Sequence, residues 1–173
     1  MTRHEFAYVG DRVEAGVEIE TAGGRITGVS TGVAGDAAVP GITVPGLANC
    51  HSHAFHRALR ARTQTERGTF WTWREQMYAL AVELTPDSYF DLAKRVYAEM
   101  RATGITAVGE FHYLHHQPDG TPYDDPNEMG RALLAAADEA GVPLRLLDAC
   151  YLAAGFGQAP EGVQRRFSDR DAT

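Results

Sequence analysis

Hydrophobic and polar positions along this chain change period part-way. In the N-terminal part, short runs rich in β-branched and aromatic residues cover His4–Val9, Ala15–Thr21 and Gly24–Ser30. Gly10-Asp11 and Gly23-Gly24 stand between them. Such runs with Gly-rich separators predict strands joined by tight turns, and Gly23-Gly24 is a hairpin signal. The Gly/Ala-rich stretch Thr31–Pro40 reads as a loop. Ile42-Thr43-Val44 is a short apolar strand that runs through Pro45-Gly46 into His51-Ser52-His53. Further on the period lengthens. Phe90, Ala93, Val96, Tyr97 and Met100 recur at helical spacing. Thr85 fits as the N-cap of that helix, Pro86 as its first residue and Gly104 as its stop. Ile105–Val108 is the next apolar strand. The pattern then repeats: Asp125 as cap, Pro126 first, Glu128 in a capping-box-like position, and a stripe of Met129, Leu133, Ala136 and Ala137. Gly141 ends that helix, Leu144–Ala149 reads as a strand, and Tyr151–Gly157 as a loop. Strands alternating with helices predict an α/β fold with a parallel sheet.

Polar residues cluster just after each of these strands: His51 and His53, then Glu110 to His116, then the Tyr151 loop. Residues two apart on a strand share a face, so His51 and His53 would aim two imidazoles at one point. That is half of a metal site, because zinc takes neutral imidazole nitrogens and a catalytic zinc uses three protein ligands. The bland alternative is a pair of surface histidines in a loop. Cys50 would point to the opposite face and is read as a small buried residue rather than a ligand. Phe70-Trp71-Thr72-Trp73-Arg74 is either a helix start anchored on aromatics or an arginine held against an aromatic wall. In the second reading the planar guanidinium suits a carboxylate. Glu110 and His112 are read as groups that brace loops through hydrogen bonds, His115 and His116 as loop residues rather than ligands.

Composition narrows the classes. At 173 residues, 44% hydrophobic and 23% charged, the chain fits an ordinary soluble domain. A net charge of -7 argues against a nucleic-acid-binding surface. No apolar run is long enough for a membrane span, and the N-terminal stretch lacks the apolar core of a signal peptide. The cytoplasm is the default location. Cys50 and Cys150 are too few for a disulfide framework.

The sense Val44-Pro45-Gly46-Leu47-x-Asn49-x-His51-x-His53 resembles the first-barrel-strand signature of the amidohydrolase superfamily, metal-dependent hydrolases and deaminases on a (β/α)8 barrel. Within it, PGLANCHSHAFHRA, TFWTWREQMY and GITAVGEFHYLHHQPDGTPYDDPNEM resemble the formimidoylglutamate deiminases of histidine degradation. The resemblance implies N-terminal β-sandwich strands in residues 1–42, followed in 43–173 by the first three strands of an incomplete (β/α)8 TIM-like barrel. It implies hydrolytic deimination of N-formimino-L-glutamate to N-formyl-L-glutamate and ammonia by a metal-activated water. One divalent metal, zinc by preference, with iron or manganese able to occupy similar sites, would be held by His51 and His53 together with a later histidine and aspartate. Arg74 and Tyr113 match substrate-contacting positions, through the carboxylates, and His56 stands where some members carry glutamine. A homodimer is the family's assembly at full length. A whole barrel takes about 250 residues, so the remaining ligands and the general acid/base are expected beyond Thr173. The expectation is therefore a truncated product, a fragment or one segment of a longer chain, in which two ligands alone hold zinc weakly. The competing readings are another amidohydrolase, a deaminase or chlorohydrolase with no need of Arg74, and a non-catalytic remnant.

Overall fold

The computed structural model describes residues 1–63 and 68–169. The chain divides into two compact units, Met1–Gly46 and Leu47–Thr173. Among the described residues no helix is long and apolar enough to cross a membrane.

The first unit is a four-stranded sheet in the order β3-β2-β1-β4. Its strands are β1 (Thr2–Val9), β2 (Arg12–Ala22), β3 (Arg25–Ser30) and β4 (Val39–Thr43). Both predicted turns form. Val9 pairs with Arg12 across Gly10-Asp11, and Ala22 with Arg25 across Gly23-Gly24. The φ values of +57° and +73° at Gly23 and Gly24 are what a type I′ hairpin demands, and glycine meets them without a Cβ clash. β4 runs parallel to β1 at the sheet's edge, the position where its Pro40, lacking an N–H, does least harm.

Here the structure corrects the sequence reading. β4 begins at Val39, inside the expected loop, and it does not continue into the histidines. A separate strand, β5 (Leu47–Ser52), carries them. Pro45 contributes no donor and Gly46 no side chain, so the segment between β4 and β5 has nothing to hold it in a ladder.

The second unit is a parallel sheet in the order β5-β6-β7, with β6 (Ile105–His112) between β5 and β7 (Leu144–Asp148). The helices are α1 (Phe70–Glu83), α2 (Pro86–Ala102) and α3 (Glu128–Ala140). α2 starts as its sequence predicts: Thr85 caps it and Pro86 opens it. α3 does not. Its helical hydrogen bonding begins at Glu128 behind Asn127, after a tight turn in which the Asp125 carbonyl accepts the Glu128 N–H at 3.1 Å. Asp125 accepts the Asn127 N–H at 2.9 Å and also holds the Arg131 guanidinium. Gly141 closes α3 in the left-handed region at φ +68°.

Alternation along β6 explains where the core lies. Val108, Glu110 and His112 are buried, whereas Phe111 is 43% exposed. The buried side packs against α2 and α3 through Ala93, Val96, Tyr97, Leu133, Ala136 and Ala137. On the other face Phe111 pairs in register with Leu147, itself 45% exposed. The parallel arrangement brings the C-terminal ends of the strands together, with Ser52 opposite Glu110 and His112 opposite Asp148.

Candidate metal and substrate site

The site is built on an irregularity in β5. Asn49 pairs with Val108 and Ser52 with Glu110, so β5 advances three residues where β6 advances two. Such a bulge turns the side chains out of strict alternation. Asn49 and Ser52 both lie on the α2 side: Asn49 Nδ2 donates to Met100 Sδ at 3.6 Å, and Ser52 is buried. Cys50 and His51 are left together opposite Gly109. Cys50 is accordingly exposed, not buried as strict alternation predicts. Asn49 Oδ1 accepts the His51 N–H at 3.1 Å, a local side-chain bond that holds the bulge.

The His51 and His53 rings lie 5.2 Å apart, centroid to centroid. His53 Nδ1 is 3.2 Å from the Phe111 carbonyl oxygen. A carbonyl only accepts, so Nδ1 carries the proton and Nε2 keeps its lone pair, which is the state a metal ligand needs. Burial, acting against the Phe111 bond and helped by neighbouring His51, holds His53 below its ordinary pKa. It is therefore neutral at neutral pH. His51 is exposed.

Glu110 fastens the end of this strand from below. It is fully buried, and Oε1 accepts the Ala54 N–H at 2.5 Å, one residue past His53. Its pKa is raised chiefly by burial, against the lowering influence of Ser52, Ala54 and Tyr97. Glu110 thus braces the turn, the role its sequence context suggested.

His56 lies in the 3₁₀ turn Ala54–Leu59. Its ring stacks at a tilt 4.6 Å from His53, and its Nε2 is 2.8 Å from the Tyr113 hydroxyl. Burial first, then His53 and His51, depress its pKa to about 4. Burial raises that of the Tyr113 phenol. Both groups are thus neutral over the physiological range. His56 should titrate near pH 4 in an imidazole NMR titration. Its unfolded-state value is about 6.5, so the unfolded chain binds the extra proton between these limits. The stability it contributes is then present above about pH 6.5 and is lost as pH falls through 4. A titration midpoint for His56 above 6 would contradict the burial described here.

A cavity of about 340 Å³ opens beside these rings, lined by His53, His56, Trp73, Tyr78, Tyr113 and Phe167, among others. Arg74 is half-buried next to it. Its Nε donates to the Tyr78 hydroxyl at 2.8 Å, and its guanidinium lies 4.8 Å from the Tyr78 ring centroid and 5.5 Å from that of Trp71. The segment does start a helix, α1, capped by Thr69, and within it the arginine rests on aromatic rings. His53, His56 and Tyr113 are brought together in one cavity. Arg74 reaches it through Tyr78, and His51 through His53.

His115 and His116 lie in the loop after β6, and both rings bond backbone carbonyls. His115 Nε2 donates to the Ala149 carbonyl at 2.9 Å and His116 Nε2 to that of Ser168 at 3.0 Å. Two supports escaped the sequence reading. One is Asn49, whose signal was an Asx side chain two residues before a histidine. The other is Arg166, fully buried, whose Nε donates to the His116 carbonyl at 2.8 Å and whose Nη atoms reach the end of α1.

Residues 42–169 match the model of the amidohydrolase family. The chain belongs to the amidohydrolase family. Its relatives include a formimidoylglutamate deiminase of Pseudomonas aeruginosa, 46% identical over 132 residues, a match that takes in 73% of this chain and 29% of that protein. An amidohydrolase crystal structure from Brucella melitensis superposes with a TM-score of 0.88 at 41% identity, covering 97% of this chain and 39% of that one. A mutant atrazine chlorohydrolase from Arthrobacter aurescens, complexed with zinc and atraton, shares the fold with a TM-score of 0.66 at 23% identity, over 91% of this chain and 36% of that one. This amidohydrolase chain thus spans well under half the length of each.

Proposed function

We propose that this amidohydrolase chain carries the N-terminal half-site of a zinc-dependent deiminase that hydrolyses N-formimino-L-glutamate to N-formyl-L-glutamate and ammonia. In this reading the Met1–Gly46 sheet supplies strands of a β-sandwich, and β5-β6-β7 opens a (β/α)8 barrel. The observation that carries it is the convergence at the C-terminal ends of β5 and β6 of His51, His53, His56 and Tyr113, in a chain 46% identical to a formimidoylglutamate deiminase. The donor set fits a borderline divalent ion: two imidazoles, one of them, His53, with its tautomer set by a backbone carbonyl. When bound, the metal supplies a water acidified toward neutral pH.

The chain's own groups account for binding and orientation. The Arg74 guanidinium offers a planar fork to a substrate carboxylate, and Trp71 and Tyr78 hold it in place. Tyr113, kept protonated by burial, and neutral His56 form one hydrogen-bonded pair. That pair has a donor or acceptor left for substrate without adding charge to the cavity. The rings of Trp73, Tyr78 and Phe167 line the cavity and give it an apolar wall.

The reading is tested on the complete gene product loaded with Zn²⁺, by ammonia release from N-formimino-L-glutamate compared with purine and pyrimidine bases. Only the formimino substrate should turn over. Arg74→Ala should raise KM by about 10–100-fold, the value of a charge-assisted hydrogen bond of about 1.5–3 kcal/mol. Turnover of a base in preference, or an unchanged KM, would point to another amidohydrolase reaction.

A further inference from the structure

A second group of ligand-type side chains lies apart from the cavity described above. His112 ends β6, His115 follows in the next loop, and Asp148 ends β7 directly opposite His112 in register. One ligand atom from each lies within 4.8 Å of the others. They line a separate cavity of about 250 Å³ on the α3 side of the sheet, together with Asn127, Gly130 and Arg131. We propose that His112, His115 and Asp148 form a divalent-cation site of their own, suited to zinc and independent of His51 and His53.

Three observations beyond proximity support it. First, His115 Nε2 donates to the Ala149 carbonyl, so Nδ1 carries the lone pair and faces Asp148 Oδ1 at 3.6 Å. A backbone carbonyl behind an imidazole is the usual outer partner of a metal ligand. Second, His112 is 2% exposed and its Nδ1 has no hydrogen-bond partner among the described residues. A buried polar group without a partner is costly, and here the ring borders a cavity. Third, the cavity reaches the ring at its other nitrogen: Gly130, which lines the cavity, presents no side chain there, and a Cβ on it would meet His112 Nε2 at an ordinary contact distance of 3.6 Å. The cation that borders the site is already neutralised, since Arg131 is held by Asp125. Donors around a tetrahedral zinc stand about 3.3 Å apart, given bonds of about 2.0–2.1 Å. The His115–Asp148 pair is near that spacing. Asp148, with a side chain 53% exposed, is free to close the rest. A metal here would join the ends of β6 and β7 to the loop after β6.

The test is Co²⁺ and Zn²⁺ titration of the 173-residue chain carrying His51→Ala and His53→Ala, with far-UV circular dichroism to check folding. One equivalent of Co²⁺ should bind with the visible absorption of a tetrahedral centre. Adding Asp148→Asn or His115→Gln should weaken it by at least about 10-fold. In the chain with His51 and His53 intact, Asp148→Asn should reduce the bound metal by one equivalent, whatever His51 and His53 bind. No binding in the double variant, or affinity indifferent to Asp148→Asn and His115→Gln, overturns the site.

Discussion

His53→Ala is expected to lower zinc affinity at the β5 site by more than about 100-fold, beyond the 10–100-fold typical of losing an outer-shell partner. The measurement is competition with a chromogenic chelator, made in an Asp148→Asn background so that the His51–His53 pair alone reports. The size of the effect follows from the way His53 is held. The Phe111 carbonyl fixes its tautomer, Glu110 fixes the backbone one residue on at Ala54, and the ring is partly buried between His51 and His56. Among the described residues no other histidine beside it is free to substitute: His56 is committed to Tyr113. Exposed His51 is expected to show the same direction with a smaller loss. Zinc affinity that is the same with and without His53 would remove the metal from the proposed function altogether.

Arg166→Met should be the most destabilising single substitution at a position away from the proposed chemistry, costing about 3 kcal/mol or more in urea unfolding. Arg166 is 0% exposed. Its guanidinium serves the carbonyls of Ala81, Val82 and Leu84, which the end of α1 leaves without helical partners, and the carbonyl of His116 in the loop after β6. Methionine fills much of the volume but donates nothing. Several buried acceptors then lose their partner at about 1–3 kcal/mol each. Domain stabilities are only about 5–15 kcal/mol, so a loss of this size is a large fraction of the whole. Arg166→Lys keeps the charge without the planar fork and should fall between the two. A Met variant within about 0.5 kcal/mol of the parent would mean that these hydrogen bonds do not hold α1 to the loop.

Both residues show how far the chain's local pattern carries. Periodicity and caps are local, so α2 with Thr85 and Pro86, the Gly23-Gly24 hairpin, and the parallel strands ending in polar clusters were legible from residues alone. So was the pairing of His51 with His53, and the aromatic seat of Arg74. The misreadings arose where the backbone found other partners than the local pattern implied. Asp125 does make a cap-like bond to the Asn127 N–H, but the backbone there forms a tight turn first and α3 starts at Glu128. Ile42–Val44 fits the strand of the histidines, but β4 finds its hydrogen bonds on β1.

By itself, then, the sequence determined the α/β alternation, the hairpins and the residue types of the site, because each depends on neighbours within a turn or two of chain. Tertiary structure decided the rest. The bulge that exposes Cys50 depends on register with β6, more than 50 residues away in sequence. The tautomer of His53 is set by a carbonyl 58 residues on. The convergence of His112, His115 and Asp148, and the burial of Arg166 under α1, require strands and loops whose contacts no local pattern encodes. These are hydrogen bonds between distant segments, and they exist only once the hydrophobic faces of α2 and α3 have closed over the sheet.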